Sequence, residues 1–227
     1  TTWGNVFVFN AALFREAWDD FQFSYLGQNG LTEIRNANSA EIDGLELDLS
    51  WAATYNLQLT GGFAWYDAKL TANYCGWLRP DGSPETTCPN GTVDPNGDVV
   101  TGPQAASGTQ LPITPQFKGS VNARYTWDMA GGEAYWQTSL SHAGRRRVDL
   151  REAETALLGY LGAYTMTDLS AGWRRNNWSI DVFVKNVFDE RAEMTRFAQC
   201  AALTCGNQPY TVVAQPRTIG IRFSQGF

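Results

Sequence analysis

Phe117-Lys-Gly-Ser-Val121-Asn-Ala-Arg-Tyr125-Thr-Trp127 alternates without a break. Phe117, Gly119, Val121, Ala123, Tyr125 and Trp127 fill the odd positions, and Lys118, Ser120, Asn122, Arg124 and Thr126 the even ones. Successive side chains of an extended chain point to opposite faces, so the segment predicts a strand with one apolar and one polar face. The same period runs through Leu45, Leu47, Leu49 and Trp51 against Glu46, Asp48 and Ser50, and through Leu57, Leu59, Phe63 and Trp65 against Gln58, Thr60 and Gly62. It returns in Trp178, Ile180, Val182 and Val184 against Ser179, Asp181 and Lys185, and in Ile219, Ile221 and Phe223 against Thr218, Arg222 and Ser224. Working outward from these gives eight strands, over Val6–Leu26, Leu31–Trp51, Leu57–Tyr74, Pro112–Trp127, Glu133–Arg146, Gly162–Trp173, Trp178–Val187 and Gln215–Phe227. The first mixes parities around Phe7, Val8, Phe9 and Arg15, and its Trp18-Asp19-Asp20 step marks a kink, a bulge or a turn in what reads as one long strand.

The connections alternate in length. Ala53–Asn56, Asp128–Gly132 and Arg175–Asn177 are tight, whereas Cys75–Leu111, Arg147–Leu161 and Phe188–Ala214 are long. A meander with one short-turn end and one long-loop end is the pattern of outer-membrane barrels, with short periplasmic turns and long extracellular loops. Trp51, Tyr55, Trp127, Trp173, Trp178 and Phe227 all fall beside the short turns or the chain end. They predict an aromatic girdle at one membrane interface, the other reading being large aromatics that cap the end of a soluble core.

Composition narrows the classes further. In 227 residues, 43% are apolar and 18% charged, which excludes a disordered segment and a coiled coil. The net charge of −6 opposes nucleic-acid binding. No uninterrupted apolar run reaches the roughly 18 residues that a helical span requires. A mean hydropathy of −0.32 leaves a β-barrel open, because lipid-facing and lumen-facing residues average out along each strand. No signal peptide is visible at Thr1, which predicts a cleaved leader or an internal piece of a longer chain.

Asn36-Ala-Asn-Ser-Ala-Glu-Ile-Asp-Gly44-Leu-Glu-Leu-Asp-Leu-Ser-Trp51 resembles a late barrel strand of TonB-dependent outer-membrane receptors. Leu111-Pro112 with Pro115 resembles the family's descending strand after a long loop. Asp181-Val-Phe-Val-Lys-Asn186-Val-Phe-Asp189 resembles its penultimate strand, and Gln215-Pro216-Arg217-Thr-Ile-Gly220 onward to Phe227 its last. The resemblance implies an all-β fold, a transmembrane antiparallel β-barrel in which this chain supplies about eight C-terminal strands out of about 22. Residues 1–227 are then the C-terminal portion of the barrel, with the N-terminal plug and earlier strands absent. Phe227 is implied as the barrel-assembly terminus, although Gln225 departs from the apolar alternation before it. The competing architecture is a complete eight-stranded barrel with a structural, adhesion or lipid-hydrolase role.

As the resemblance implies, the protein is an active-transport receptor of the bacterial outer membrane, not an enzyme, and takes up a scarce substrate. An iron–siderophore complex is the default cargo. Its partners are the TonB complex, through the missing N-terminal portion, together with outer-membrane lipid, lipopolysaccharide and the small-molecule chelate. Neither a cofactor nor a resident metal is expected. Tyr74, Trp77, Arg79, Arg146, Arg147, Tyr160, Arg196, Phe197 and Tyr210 are the substrate-binding candidates, loop aromatics and guanidiniums suited to stacking and charge pairing. Arg145-Arg146-Arg147 with Arg151 either clamps an anion or forms a solvated rim balanced by Asp149, Glu152 and Glu154.

The cysteines fall as Cys75 with Cys88 and Cys200 with Cys205, each pair within one long loop. In an oxidising setting this reads as two local disulfides, since the spacings do not give the close ligand pairs of zinc sites. Asp94-Pro-Asn96-Gly97-Asp98 opens like a calcium loop, but Ala105 stands where the closing Glu belongs, which favours an ordinary turn. His142 is the only histidine and shares parity with Trp136 and Leu140. Ser141 therefore faces the other way, and a Ser–His pair is not expected.

Overall fold

The structure, a computed structural model, describes residues 2–3, 6–26, 31–198 and 208–226. In chain order the strands are β1 (Thr2–Trp3), β2 (Phe7–Trp18), β3 (Gln22–Leu26), β4 (Thr32–Asn36), β5 (Ala40–Ala52), β6 (Leu57–Leu70), β7 (Phe117–Met129), β8 (Gly132–Ala143) and β9 (Arg146–Arg147). Helix α1 (Glu152–Leu158) follows, then β10 (Tyr160–Leu161), β11 (Tyr164–Arg175), β12 (Trp178–Lys185), β13 (Glu193–Ala198), β14 (Pro209–Val213) and β15 (Thr218–Gln225). One antiparallel sheet runs β1-β2-β5-β6-β7-β8-β11-β12-β15, and three two-stranded ribbons extend from it. Among the described residues the sheet is open, ending at β1 and β15, and does not close into an eight-stranded barrel.

The eight expected strands are the eight long strands of this sheet, with two corrections. Val6–Leu26 is not one strand, because β2 stops at Trp18 and the chain restarts as β3. Leu31–Trp51 likewise divides into β4 and β5. The breaks lie opposite each other: Asp20 and Asn38 both take positive φ, at 54° and 66°, a conformation that Asp and Asn tolerate better than other non-glycine residues. Between them Phe21 N donates to Asn38 O and Ala37 N to Phe21 O, both at 2.7 Å, so the hairpin bends without losing its pairing.

Register assigns the faces. Phe7–Trp51–Leu59–Ala123 and Leu13–Leu45–Trp65–Phe117 are cross-strand rows of the outer face, continued on later strands by Trp136, Leu140, Ile180, Val182, Ile219 and Ile221. Many of these apolar side chains are exposed, Leu13 at 85% and Ile221 at 71%, as a lipid-facing wall requires. Phe117 to Trp127 covers ten residue steps, or about 33 Å along the strand, which at a tilt of about 40° matches an apolar band about 25 Å tall. Trp51, Trp127, Trp173 and Trp178 lie on that face beside the short turns, and Trp173 Nε1 donates to Met129 O at 2.8 Å. Phe227 lies outside the described residues.

Glycines let rings lie flat on the inner face, Gly44 and Gly220 among them. A Cβ on Gly44 would run into the Phe14 ring, and one on Gly220 into the Phe183 ring. Each ring covers a neighbouring strand that offers no side chain of its own to pack.

Candidate functional site: the extracellular end and the lumen wall

The buried core lies outside the lipid-facing band. Phe23, Ala37, Ala40, Ala68, Leu70, Tyr74, Ala105, Leu111 and Leu150 form one cluster, joining the bent β3–β4 ribbon to the loops after β6 and β9. Leu70 and Leu150 are fully buried, and Phe23 meets Tyr74 edge-on at 5.1 Å. Main-chain bonds tie the same loops, Glu152 N to Gln104 O at 2.7 Å and Ile113 N to Arg147 O at 2.8 Å. Over the core, Arg151 stacks on Tyr25 at 4.2 Å and pairs with Asp149 at 3.1 Å. Tyr25 Oη donates to Glu33 at 2.9 Å. The loops after β6 and β9 are therefore one packed block with the β3–β4 ribbon, whose shape precedes any ligand.

Cys75 and Cys88 are disulfide-bonded, as expected, whereas Cys200 and Cys205 lie outside the described residues. Arg79 closes the same loop through Glu85 at 2.9 Å, and Thr86 N and Thr87 N donate to that carboxylate at 2.8 and 2.9 Å. The Arg79 guanidinium and these amides hold the Glu85 carboxyl down to about 2. Burial, by contrast, pushes the Tyr74 phenol up to about 12. Asp94 Oδ1 accepts from the main-chain amides of Asn96 and Asp98 at 2.8 and 2.9 Å, so this carboxylate is committed to its own turn. Among the described residues, no group of three or more His, Cys, Asp or Glu side chains is placed to hold a metal ion.

The nine substrate candidates separate by environment. Tyr74, Arg146 and Arg147 are buried: Tyr74 belongs to the core, and Arg147 donates to Asp149 O at 2.9 Å and to Glu152 at 2.8 Å. Arg146 Nη2 donates to Glu193 O at 2.8 Å, and Arg196 donates to Leu158 O and pairs with Glu193 at 2.7 Å. Trp77 is half-buried, and Arg79 is exposed but paired with Glu85. Tyr160, Phe197 and Tyr210 are exposed, the last two as a cross-strand ring pair at 5.5 Å. A residue outside the expected set joins Tyr160. Arg145 is exposed and stacks on its ring at 3.7 Å, and among the described residues it forms no ion pair. The alternation signal for it exists, since Arg145, Arg147 and Tyr160 share one side of the β9–β10 ribbon.

Inside, small polar side chains floor a trough of about 560 Å³, among them Ser50, Thr60, Ser120, Asn122, Ser139 and Ser141. Ser139 Oγ donates to Asn122 Oδ1 at 2.8 Å. Lower on the wall, Tyr135 Oη donates to Asp181 at 2.6 Å and Arg124 stacks on Tyr135 at 3.7 Å. His142 sits on the lipid face, its Nδ1 2.9 Å from Thr165 Oγ1, and Ser141 points to the lumen.

A wall apolar outside and polar inside, with short turns at one end and long loops at the other, is the construction of outer-membrane β-barrels. A family model described as "TonB dependent receptor-like, beta-barrel" matches residues 1–187. The chain belongs to this family. Members of the TonB-dependent receptor family are transporters rather than enzymes, and the barrel resides in the bacterial outer membrane. Among solved structures, the ferric yersiniabactin uptake receptor FyuA from Yersinia pestis is 18% identical, with a TM-score of 0.68 over 98% of this chain and 28% of its own. The siderophore receptor PiuA from Acinetobacter baumannii is 16% identical, with a TM-score of 0.66 over 99% of this chain and 26% of its own. The copper transporter OprC has a TM-score of 0.60 at 15% identity, over 99% of this chain and 29% of its own. This receptor chain thus spans a little over a quarter of the structures it resembles. No curated protein matches it in sequence.

Proposed function

We propose that residues 1–227 are the C-terminal part of the barrel of a TonB-dependent receptor. Its N-terminal plug and earlier strands complete the protein, and its cargo is an iron–siderophore complex taken up with energy from TonB. The observation that carries this reading is the preformed extracellular block standing above the lipid-facing wall, with aromatic and guanidinium groups left exposed on it. Such a surface can grip a planar, oxygen-rich chelate by stacking and charge pairing, and the cost of ordering its loops is met before binding. The similarity to FyuA, a ferric yersiniabactin uptake receptor, and to PiuA, a siderophore receptor, supports that cargo class. Within the candidate set, Trp77, Tyr160, Phe197 and Tyr210 are the proposed contacts, joined by Arg145. Tyr74, Arg79, Arg146, Arg147 and Arg196 hold the surface in shape.

Two measurements test this. The native protein extracted from outer membranes is expected to have a mass several times 25.1 kDa, with peptides upstream of Thr1, whereas a mass near 25.1 kDa overturns the domain assignment. Iron-starved cells with and without the protein are then offered radioiron on catecholate, hydroxamate and carboxylate chelates. Uptake of one class, abolished by loss of TonB, is expected, and uptake that is absent for all three or indifferent to TonB overturns the transport reading.

A further inference from the structure

On the lumen face Phe14, Tyr135 and Phe183 each lie over a glycine, and their open sides differ. Tyr135, over Gly172, carries the Arg124 guanidinium on its ring at 3.7 Å. Phe14, over Gly44, has Tyr66 beside it at 6.3 Å. Among the described residues, no ring or cation covers Phe183. It belongs to a recess of about 280 Å³ that Lys185 and Arg222 also line. Register fixes their order: Phe183 faces Gly220, Lys185 faces Thr218 one row above, and Arg222 faces Asp181 one row below. Rows on one face are two residues apart, about 7 Å, so the two cations stand on either side of the ring. Asp181 and Asp168 line the same recess, but Asp181 accepts from Tyr135 Oη at 2.6 Å and Asp168 from Asn186 N at 2.8 Å. Among the described residues, neither Lys185 nor Arg222 forms an ion pair or a hydrogen bond. The recess thus presents unspent donors around an uncovered ring.

We infer that this recess is a second binding station for the cargo, and that it takes an aromatic ring bearing anionic oxygens, a catecholate or phenolate arm. Such a station presupposes the transport reading above, and it adds the chemical class of the cargo and a place on the lumen wall that holds it. Phe183 supplies the stacking face, kept flat because Gly220 beneath it has no Cβ. Lys185 and Arg222 supply charged donors at both ends of that face, and the Arg222 fork can take two oxygens of one arm. A hydroxamate or citrate arm brings charge without the ring and forgoes the stacking. Arg222 stands three residues from Gln225, which pairs with Trp178 at a short turn, so the station lies in the periplasmic half of the wall. Cargo reaches it only after leaving the extracellular block.

The test uses the protein as the cell makes it, in iron-starved cells offered radioiron on a synthetic tris-catecholate, a trihydroxamate or citrate. TonB-dependent uptake of the ferric tris-catecholate is expected. Arg222→Gln and Lys185→Gln are each expected to lower its maximal uptake rate about tenfold, and Phe183→Leu about three- to tenfold. Arg222→Lys should give an intermediate rate, since it keeps the charge and loses the fork. Binding of the same chelate to chilled cells lacking TonB, and the folded band in micelles, should be unchanged in all four variants. Uptake of none of the three chelates by the unsubstituted receptor overturns the transport reading and the station with it. Uptake of the hydroxamate or citrate chelate alone overturns the station and leaves transport standing, as does catecholate uptake that no variant slows. Vancomycin sensitivity gained by any variant assigns the recess to the plug and likewise overturns the station.

Discussion

Four arginines crowd residues 145–151, and burial sorts them. Arg146 and Arg147 are spent on carbonyls and Glu152, Arg151 on Asp149, and Arg145 lies exposed over the Tyr160 ring. Sequence alone makes these four equivalent, and the period-two pattern separates only alternate members. What decides them is a short helix whose Glu152 takes Arg147, and no strand rule anticipates it. Arg147→Ala is expected to cost the loop about 2 to 3 kcal/mol through its lost charged hydrogen bonds, read as faster exchange of the Leu150 amide. Arg145→Ala is expected to leave that exchange unchanged and to weaken retention of an anionic ferric chelate by about tenfold. Gly44→Ala must displace the Phe14 ring, and overpacking of this kind costs about 1 to 3 kcal/mol, measurable as a lower urea midpoint in micelles.

Among the elements, the long strands were legible because each carries one face in lipid and one in water, which writes alternation directly into the residues. Their loop-side ends were not. Leu57–Leu70 was read on to Tyr74 because apolar spacing continues past the membrane, and there Leu70 and Tyr74 serve a different core. Helix α1, Glu-Ala-Glu-Thr-Ala-Leu-Leu, is made of good helix formers, but its seven residues are too few for a periodicity to show. The stapled loop carries a pH dependence of known sign. Glu85 is held to about 2 when folded against an ordinary 4.5, so its contribution is complete above about pH 4.5 and is lost as the pH falls toward 2. Segment 77–87 is therefore expected to become protease-sensitive between those values, and Glu85→Gln to be sensitive already at neutral pH. Cys75→Ser should expose the same segment by removing a local closure worth about 3 kcal/mol.

For the whole molecule, the division of the wall into a lipid face and a lumen face is the property that alternation foretold and register confirms. It has a sharp test in two adjacent residues, Val121 on the outer face and Asn122 on the inner. Val121→Arg places a charge in the apolar band at a cost of about 2 to 4 kcal/mol, so the heat-modifiable folded band should fall; Asn122→Arg, one position on, should leave it intact. Sequence could not place the core, because a barrel wall needs none and the loops show no regular pattern. Three segments far apart in the chain are nevertheless fixed around Tyr74 and Leu150 into one surface facing away from the cell. For an immune system that surface is a conformational epitope. Antibodies raised against the intact protein should bind living cells and ignore a synthetic peptide copied from residues 77–104, and vaccination with such peptides should fail to label the bacterium.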